Sequence, residues 1–167
     1  MAFGIYEASL PIFLQGVNTL THLLDQLEQF AAEQGRDAES MLDLTLAPDM
    51  FDLRKQIQLA CDFALNCAMK MAARDYQAVD FSEVTIADLR GLLARTREQL
   101  AQVSADDLIG SESRDIHLVF PWGDINFPGD KMVNYWSVPN FLFHVTTTYS
   151  LLRREGVAIG KADFLGR

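Results

Sequence analysis

The chain has 167 residues, of which 49% are hydrophobic and 22% charged, the usual size and composition of one globular domain. Its 23 acidic and 14 basic side chains give a formal net charge of −9, which disfavours nucleic acid and anionic membrane surfaces as partners. We therefore predict a single domain over residues 1–167 that binds neither.

The first residues lack the charged start and apolar run of a signal peptide, and no uncharged apolar stretch reaches membrane-spanning length. We therefore expect a cytoplasmic location. Cys61 and Cys67 stand six apart in one predicted helix and point to different faces, so they are expected to be buried thiols and not a disulfide.

The first predicted helix runs from Ser9 to Gln34. Ser9 is its expected N-cap, Pro11 suits a first turn, and Gly35 stands in the usual C-terminal position. Apolar side chains recur at helical spacing, at Leu10, Phe13, Leu14, Val17, Leu20, Leu24, Leu27 and Phe30.

A loop separates this helix from a second, predicted over about Met50 to Arg74. Asp49 or Asp52 is its expected cap. Small side chains recur every four residues, at Ala60, Ala64, Ala68 and Ala72, which favours close approach of a neighbouring helix.

The third predicted helix opens at Thr85 and ends near Ser104. Asp88, three residues after Thr85, resembles the acidic partner of a capping box. The apolar and β-branched positions continue through Leu89, Leu92, Leu93, Thr96, Leu100 and Val103.

Residues 115–128 differ from the helices. Apolar runs at Ile116–Phe120 and Ile125–Phe127 flank the turn residues 121–124, and this pattern predicts a short β-hairpin. An isolated hairpin is marginally stable, so we expect it to pack on the helices.

The fourth predicted helix covers about Lys131 to Glu155 and ends before Gly156. Pro139 predicts a kink or restart within it, with Ser137 as the cap, and the tail after it is expected to be a loop. The whole pattern predicts an all-α fold, a four-helix bundle with a short β-hairpin before the last helix.

A polar row follows from the four-residue spacing of Asn140, His144 and Thr148 on the last helix. There His144 is either a core histidine held by hydrogen bonds, or a metal ligand or base. Gln58 and Asp62 form a similar pair on the second helix. If Asp62 faced His144, the two could share a proton or a metal; the alternative is that it faces water.

The other two histidines are weaker candidates. His22 is expected to be exposed on the first helix, and His117 to be solvated in the hairpin. Aromatic side chains are dense over residues 120–143, as core packing, a partner surface or the lining of a ligand pocket. They are Phe120, Trp122, Phe127, Tyr135, Trp136, Phe141 and Phe143.

Several stretches resemble a bacterial family of uncharacterised proteins, a domain of unknown function that is similar to the DinB/YfiT-like group of metalloenzymes. The stretches are Leu46–Phe51, Gln56–Asp62, Pro139–Tyr149, Leu151–Arg153, Gly156–Val157 and Gly160–Gly166. The resemblance implies an up-down-down-up four-helix bundle, commonly a homodimer.

In the wider group three histidines bind a divalent metal such as zinc or nickel, and some members use it to activate a small thiol or water. One histidine comes from helix two and two from an H-x-x-x-H pair on the last helix. By this resemblance His144 matches the second of the pair, while Asn140 stands at the first and Gln58 or Leu59 at the helix-two position. Two of the three ligands are therefore missing.

Three hypotheses follow. The chain is an uncharacterised DinB-like bundle that lacks the metal site, or a metal-dependent hydrolase or thiol-transferase-like enzyme with an altered site around His144. As a third alternative, it is a small-ligand or protein binding module that uses the aromatic side chains of residues 120–143.

Overall fold

Helices make up most of the computed structural model, which describes residues 4–121 and 123–167. In chain order the elements are α1 (Ile5–Gln34), α2 (Leu53–Met71), α3 (Ile86–Ala101), β1 (Asp115–Leu118), β2 (Ile125–Pro128), α4 (Gly129–Lys131), α5 (Val138–Glu155) and α6 (Lys161–Phe164). A π-helix at Met132–Ser137 joins α4 to α5, and 3₁₀ turns occur at Glu39–Asp43, Asp106–Leu108 and Ser111–Ser113.

The start of α1 differs from the prediction. The helix begins at Ile5 with Gly4 as its N-cap, because the carboxylate of Glu7 accepts a hydrogen bond from the Gly4 N–H at 2.9 Å. Ser9 is therefore no cap, and its hydroxyl donates to the Ile5 carbonyl at 2.6 Å. Pro11 lies inside the helix and not in its first turn.

The predicted caps of α2 and α3 are confirmed. Asp52 accepts from the Lys55 N–H at 2.8 Å, and α2 is shorter than predicted at both ends. At α3 the Thr85 hydroxyl accepts from the Asp88 N–H, while the Asp88 carboxylate accepts from the Thr85 N–H. Each exchange satisfies backbone donors that a helix start leaves unpaired.

The predicted hairpin is confirmed. Strands β1 and β2 are antiparallel, with Ile116 opposite Phe127 and His117 opposite Asn126. Ile116 and Leu118 are buried against the helices, as the alternation of a half-buried strand requires. Trp122, in the predicted turn, lies outside the described residues.

The predicted restart of the last helix is also confirmed, but its cap is not. The π-helix ends at Ser137 and Pro139 stands in the first turn of α5, where a missing N–H costs no helical hydrogen bond. Ser137 has a helical backbone and makes no capping hydrogen bond.

The chain's last residues form a short helix, not the expected loop. Helix α6 lies on α1, where the Thr19 hydroxyl donates to the Phe164 carbonyl at 3.0 Å. His22 and Asp163 join the two helices through a 2.8 Å contact. These bonds to α1 give the terminal segment a fixed position.

The core lies between the long helices. Helix α2 packs mainly against α5, α1 contacts both α3 and α5, and α2 also contacts α3. Phe13 and Phe141 meet edge to face at 5.0 Å in this core, and Gly16 leaves the space that the Phe141 ring occupies. No helix among the described residues is long and apolar enough to cross a membrane.

Candidate functional site

His144 lies on the face of α5 that packs against α2. Its side chain is buried, and its Nδ1 is 2.7 Å from Oε1 of Gln56. The amide nitrogen of Gln56 donates to the Phe51 carbonyl at 3.1 Å, so the amide oxygen is turned towards the imidazole. Nδ1 therefore carries the proton and donates it to Gln56.

This hydrogen bond fixes the chemical state of the imidazole. Burial lowers the pKa of His144 to about 4, because the charged form loses its hydration, so the ring is neutral at pH 7. With Nδ1 protonated, Nε2 carries a lone pair. It has no hydrogen-bond partner in residues 4–121 and 123–167, and so remains an acceptor for another molecule.

Aromatic rings pack against the His144 imidazole. Phe63 of α2 stacks on the His144 ring at 5.5 Å between centroids, and Phe143 meets it edge-on at 5.4 Å. Trp136, in the π-helix, packs near Phe63 with 6.3 Å between the ring centroids. Phe143 is 54% exposed, so this group of aromatic side chains extends to the protein surface.

The β-hairpin and the residue that follows β1 by two add two more rings to these aromatic side chains. Phe120 and Phe127 pack on Trp136 at 5.5 and 5.9 Å between ring centroids. We call Phe63, Phe120, Phe127, Trp136 and Phe143 the aromatic cluster. Two of the other predicted aromatics lie apart from it: Phe141 faces α1 in the core, and Tyr135 is exposed.

Asn140 and Thr148 are on α5 with His144, but their described hydrogen bonds are local. The Asn140 amide donates to the Trp136 carbonyl at 2.7 Å, and the Thr148 hydroxyl donates to the His144 carbonyl at 3.0 Å. Both bonds run to the residue four earlier, so these side chains support the helix backbone around the imidazole.

The side chains of Gln58 and Asp62 on α2 make their hydrogen bonds to residues 76–83, and not to α5. Gln58 donates to the Glu83 carbonyl at 3.0 Å, and Asp62 accepts from the Tyr76 hydroxyl and from the Val79 N–H. Burial and the Asp62 carboxylate raise the pKa of Tyr76 above its usual range. Asp62 is partly exposed, and its carboxylate holds residues 76–79 and not His144.

The remaining histidines are at the surface, as predicted. His22 contacts Asp163 at 2.8 Å with a side chain that is 41% exposed. His117 contacts Asn126 at 2.7 Å and Asp124 at 3.2 Å. Neither lies against the aromatic cluster.

The residues at His144 do not fit a three-histidine metal site. Donating Nδ1–H to a fixed acceptor is typical of metal-binding histidines, and His144 does this. At the positions that the family resemblance assigns to the other two histidines, however, stand Asn140 and either Gln58 or Leu59, and the amides of Asn140 and Gln58 are hydrogen-bonded elsewhere. In the described chain, no three His, Cys, Asp or Glu side chains converge as metal ligands.

Sequence reasoning missed Gln56 and Phe63. Gln56 follows Leu53 by three residues and precedes Ala60 by four, so it belongs to the apolar face of α2. It is 1% exposed. A glutamine on such a face needs a polar partner from the neighbouring helix, and this requirement was the available signal.

Comparisons with known proteins agree with this architecture. Residues 5–165 match a family described as a domain of unknown function, DUF1993. No curated protein matches the chain. Its structure is similar to the crystal structure of a DinB family member from Shewanella denitrificans, with 30% sequence identity and a TM-score of 0.87, covering 98% of this chain and 92% of that chain. The chain therefore belongs to the DUF1993 family, a domain of unknown function in the DinB-like group.

Proposed function

We propose that this DinB-like protein works without the three-histidine metal site and binds a small apolar molecule at His144. The molecule carries one O–H or N–H group, which donates to Nε2. The observation that supports this most directly is the chain of hydrogen bonds from His144 Nδ1 to Gln56 and from Gln56 to the Phe51 carbonyl. These two hydrogen bonds leave Nε2 of His144 as a hydrogen-bond acceptor beside the aromatic cluster.

The proposal rests on a finer architecture, a four-helix bundle of the DinB/YfiT type. The helices would be α1, α2, α3 and α5, with the hairpin inserted before α5. In support, α2 packs on α5 and α3, while α1 packs on α3 and α5. A site between facing helices is the usual place for a ligand in such bundles.

Binding is favoured over base catalysis by the state of the imidazole. A pKa of about 4 makes His144 a weak base at neutral pH, since an efficient general base has a pKa near the working pH. A neutral, oriented acceptor among rings suits recognition, because apolar walls supply affinity and a few polar atoms set orientation.

The test compares phenol with anisole, which has a similar ring but no donor. We expect phenol to bind more tightly by calorimetry, and His144→Phe to remove most of that preference, about tenfold for one hydrogen bond. His22→Phe is the matched control: it removes the contact with Asp163 on α6, away from the aromatic cluster, and should leave the preference unchanged. Equal binding of phenol by the wild type and the His144→Phe variant would refute the proposal.

The metal-dependent hydrolase or thiol-transferase-like alternative needs its own test. Its support is the ligand-like orientation of His144. We propose measuring zinc and nickel in protein purified without an affinity tag, with and without His144→Ala. Stoichiometric metal that is lost in the variant would overturn the metal-free proposal.

We also propose that the protein is a cytoplasmic homodimer. The family resemblance supports a dimer, and so do apolar side chains that α5 and the preceding π-helix leave uncovered. Tyr135 is 69% exposed, Phe143 54% and Leu142 37%.

A further inference from the structure

A surface groove of about 320 Å³ lies between the start of α2 and residues 81–84. Three of its lining side chains are apolar, those of Phe51, Phe81 and Val84. Phe51 is 58% exposed and Val84 61% exposed, so the folded chain itself leaves this apolar lining uncovered. The groove therefore offers apolar surface to a ligand of small-molecule size.

Lys55 supplies the unpaired charge of this groove. Of the other charged lining residues, Arg54 contacts Asp52 at 3.6 Å, and Glu83 accepts a hydrogen bond from Arg95 at 3.0 Å. The Lys55 ammonium, in contrast, makes no hydrogen bond or ion pair within the described part of the chain. The lining thus combines exposed apolar side chains with one cation that lacks an anion.

The ammonium of Lys55 lies over the ring of Phe81, with 3.2 Å from Nζ to the ring centroid. The ring attracts the cation but accepts on one side only, so the ammonium keeps N–H donors for another acceptor. Partial burial lowers the pKa of Lys55, because the ammonium loses hydration, and the nearby charges of Asp52 and Asp62 oppose this. A carboxylate brought to Nζ would replace the lost water.

The backbone of Phe81 is held in an unusual conformation. Its φ of 59° lies in the left-handed region, which a bulky residue rarely adopts. Its neighbours are fixed, since Ser82 donates twice to the Asp80 carboxylate and Gln58 donates to the Glu83 carbonyl at 3.0 Å. Such strain persists where the surroundings impose it, often at ligand clamps, and here it places the ring against the ammonium.

We propose that this groove binds a small monocarboxylate with an apolar chain. The carboxylate would pair with Nζ of Lys55, and the chain would cover Phe51 and Val84. A charge-assisted hydrogen bond of this kind is stronger than one to a neutral acceptor. A single negative charge fits better than a phosphate, because the carboxylates of Asp52 and Glu83 also line the groove and repel a multiply charged anion.

The probe is hexanoate, titrated calorimetrically at neutral pH and low salt beside its neutral methyl ester. We expect saturable binding of hexanoate to one site per chain, at least about tenfold tighter than binding of methyl hexanoate. Neither compound has a donor for Nε2 of His144, so the result is independent of the function proposed there. Hexanoate that did not saturate, or that bound no more tightly than its ester, would overturn the proposal.

Variants locate the binding. Lys55→Met keeps the apolar stem and should weaken hexanoate binding about tenfold, whereas Lys161→Met, at an exposed position on α6, should leave it unchanged. Phe51→Ser should weaken it about threefold through lost apolar contact. Ile109→Ser, 77% exposed and outside the groove, is the control for that change. If Lys55→Met bound hexanoate as tightly as Lys161→Met, or Phe51→Ser as tightly as Ile109→Ser, the groove would not be the site.

Discussion

At the scale of single residues, His144 makes folding depend on pH. Its pKa is about 4 in the folded chain and about 6.5 when unfolded, so between these pH values only the unfolded chain binds the proton. The free energy of unfolding should therefore fall as pH drops from about 6.5 to 4, by on the order of 3 kcal/mol, and His144 should contribute no pH dependence above that window.

Urea unfolding of the wild type and of His144→Gln, measured at several pH values, isolates this effect. The carboxylates titrate in both proteins, so their contribution cancels in the difference. We expect the wild type to lose stability relative to the variant as the pH falls below about 6.5. Parallel curves would show that the folded imidazole takes up a proton as readily as the unfolded one.

The two thiols give a second prediction for individual residues. Burial raises the pKa of Cys61 and of Cys67 to about 12 each, so the reactive thiolate is scarce at pH 8. We expect neither to react with a disulfide reagent until the chain is unfolded. Ser113→Cys places a thiol at an exposed position as a control, and a native thiol reacting as fast as that one would contradict the burial.

At the scale of elements, a single glycine sets how closely α1 approaches α5. A Cβ added to Gly16 would stand 2.4 Å from the Phe141 ring, whereas one added to Gly91 of α3 would meet only the end of the Arg95 side chain at 3.2 Å. We expect Gly16→Ala to lower the free energy of unfolding by about 2 kcal/mol through overpacking, and Gly91→Ala to raise it by up to about 1 kcal/mol through helix propensity.

Urea unfolding of both alanine variants checks this pair. Because both positions are helical, the intrinsic gain from replacing glycine is shared, and the difference between the variants reports the contact with Phe141. A Gly16→Ala variant as stable as the Gly91→Ala variant would mean that α1 and α5 can separate without cost.

The elements were largely predictable because their signals are local. Apolar spacing located the four long helices, and the side chains of Asp52 and Thr85 marked two starts within one turn of sequence. The predicted start of α1 was wrong because Ser9 and Pro11 are residues typical of a helix start. The actual N-cap, Gly4, has no side chain that could mark it in the sequence. The prediction of a loop for the tail was wrong because α6 is held by hydrogen bonds to α1, a contact between distant parts of the chain.

The candidate site was only partly predictable, because its geometry depends on which helix faces which. Periodicity placed His144 on an inward face, and the structure buries it. Its hydrogen-bond partner is Gln56, however, whereas Asp62 accepts a hydrogen bond from Tyr76. Spacing along one helix cannot say which residue on another helix lies opposite.

At the scale of the whole molecule, α2 divides the buried polar groups between two neighbours. Gln56 and Gln58 stand two apart, so they point to nearly opposite sides of the helix. Gln56 turns to His144 on α5, and Gln58 turns to Glu83 beside α3. One helix thereby orders buried polar groups on two of its sides, one towards α5 and one towards α3.

The proposed homodimer implies a particle mass and an interface that can both be measured. If the uncovered apolar side chains of α5 and the π-helix form the interface, sedimentation should give twice the 18.8 kDa chain mass. Tyr135→Glu with Leu142→Glu should then shift the protein to monomer, because burying carboxylates without partners costs roughly 3 kcal/mol, more than a hundredfold in dimer Kd. Ile109→Glu, at a position that is 77% exposed between α3 and β1, is the control for added charge. A dimer that persists in the double variant places the interface elsewhere, and a wild-type monomer contradicts the dimer itself.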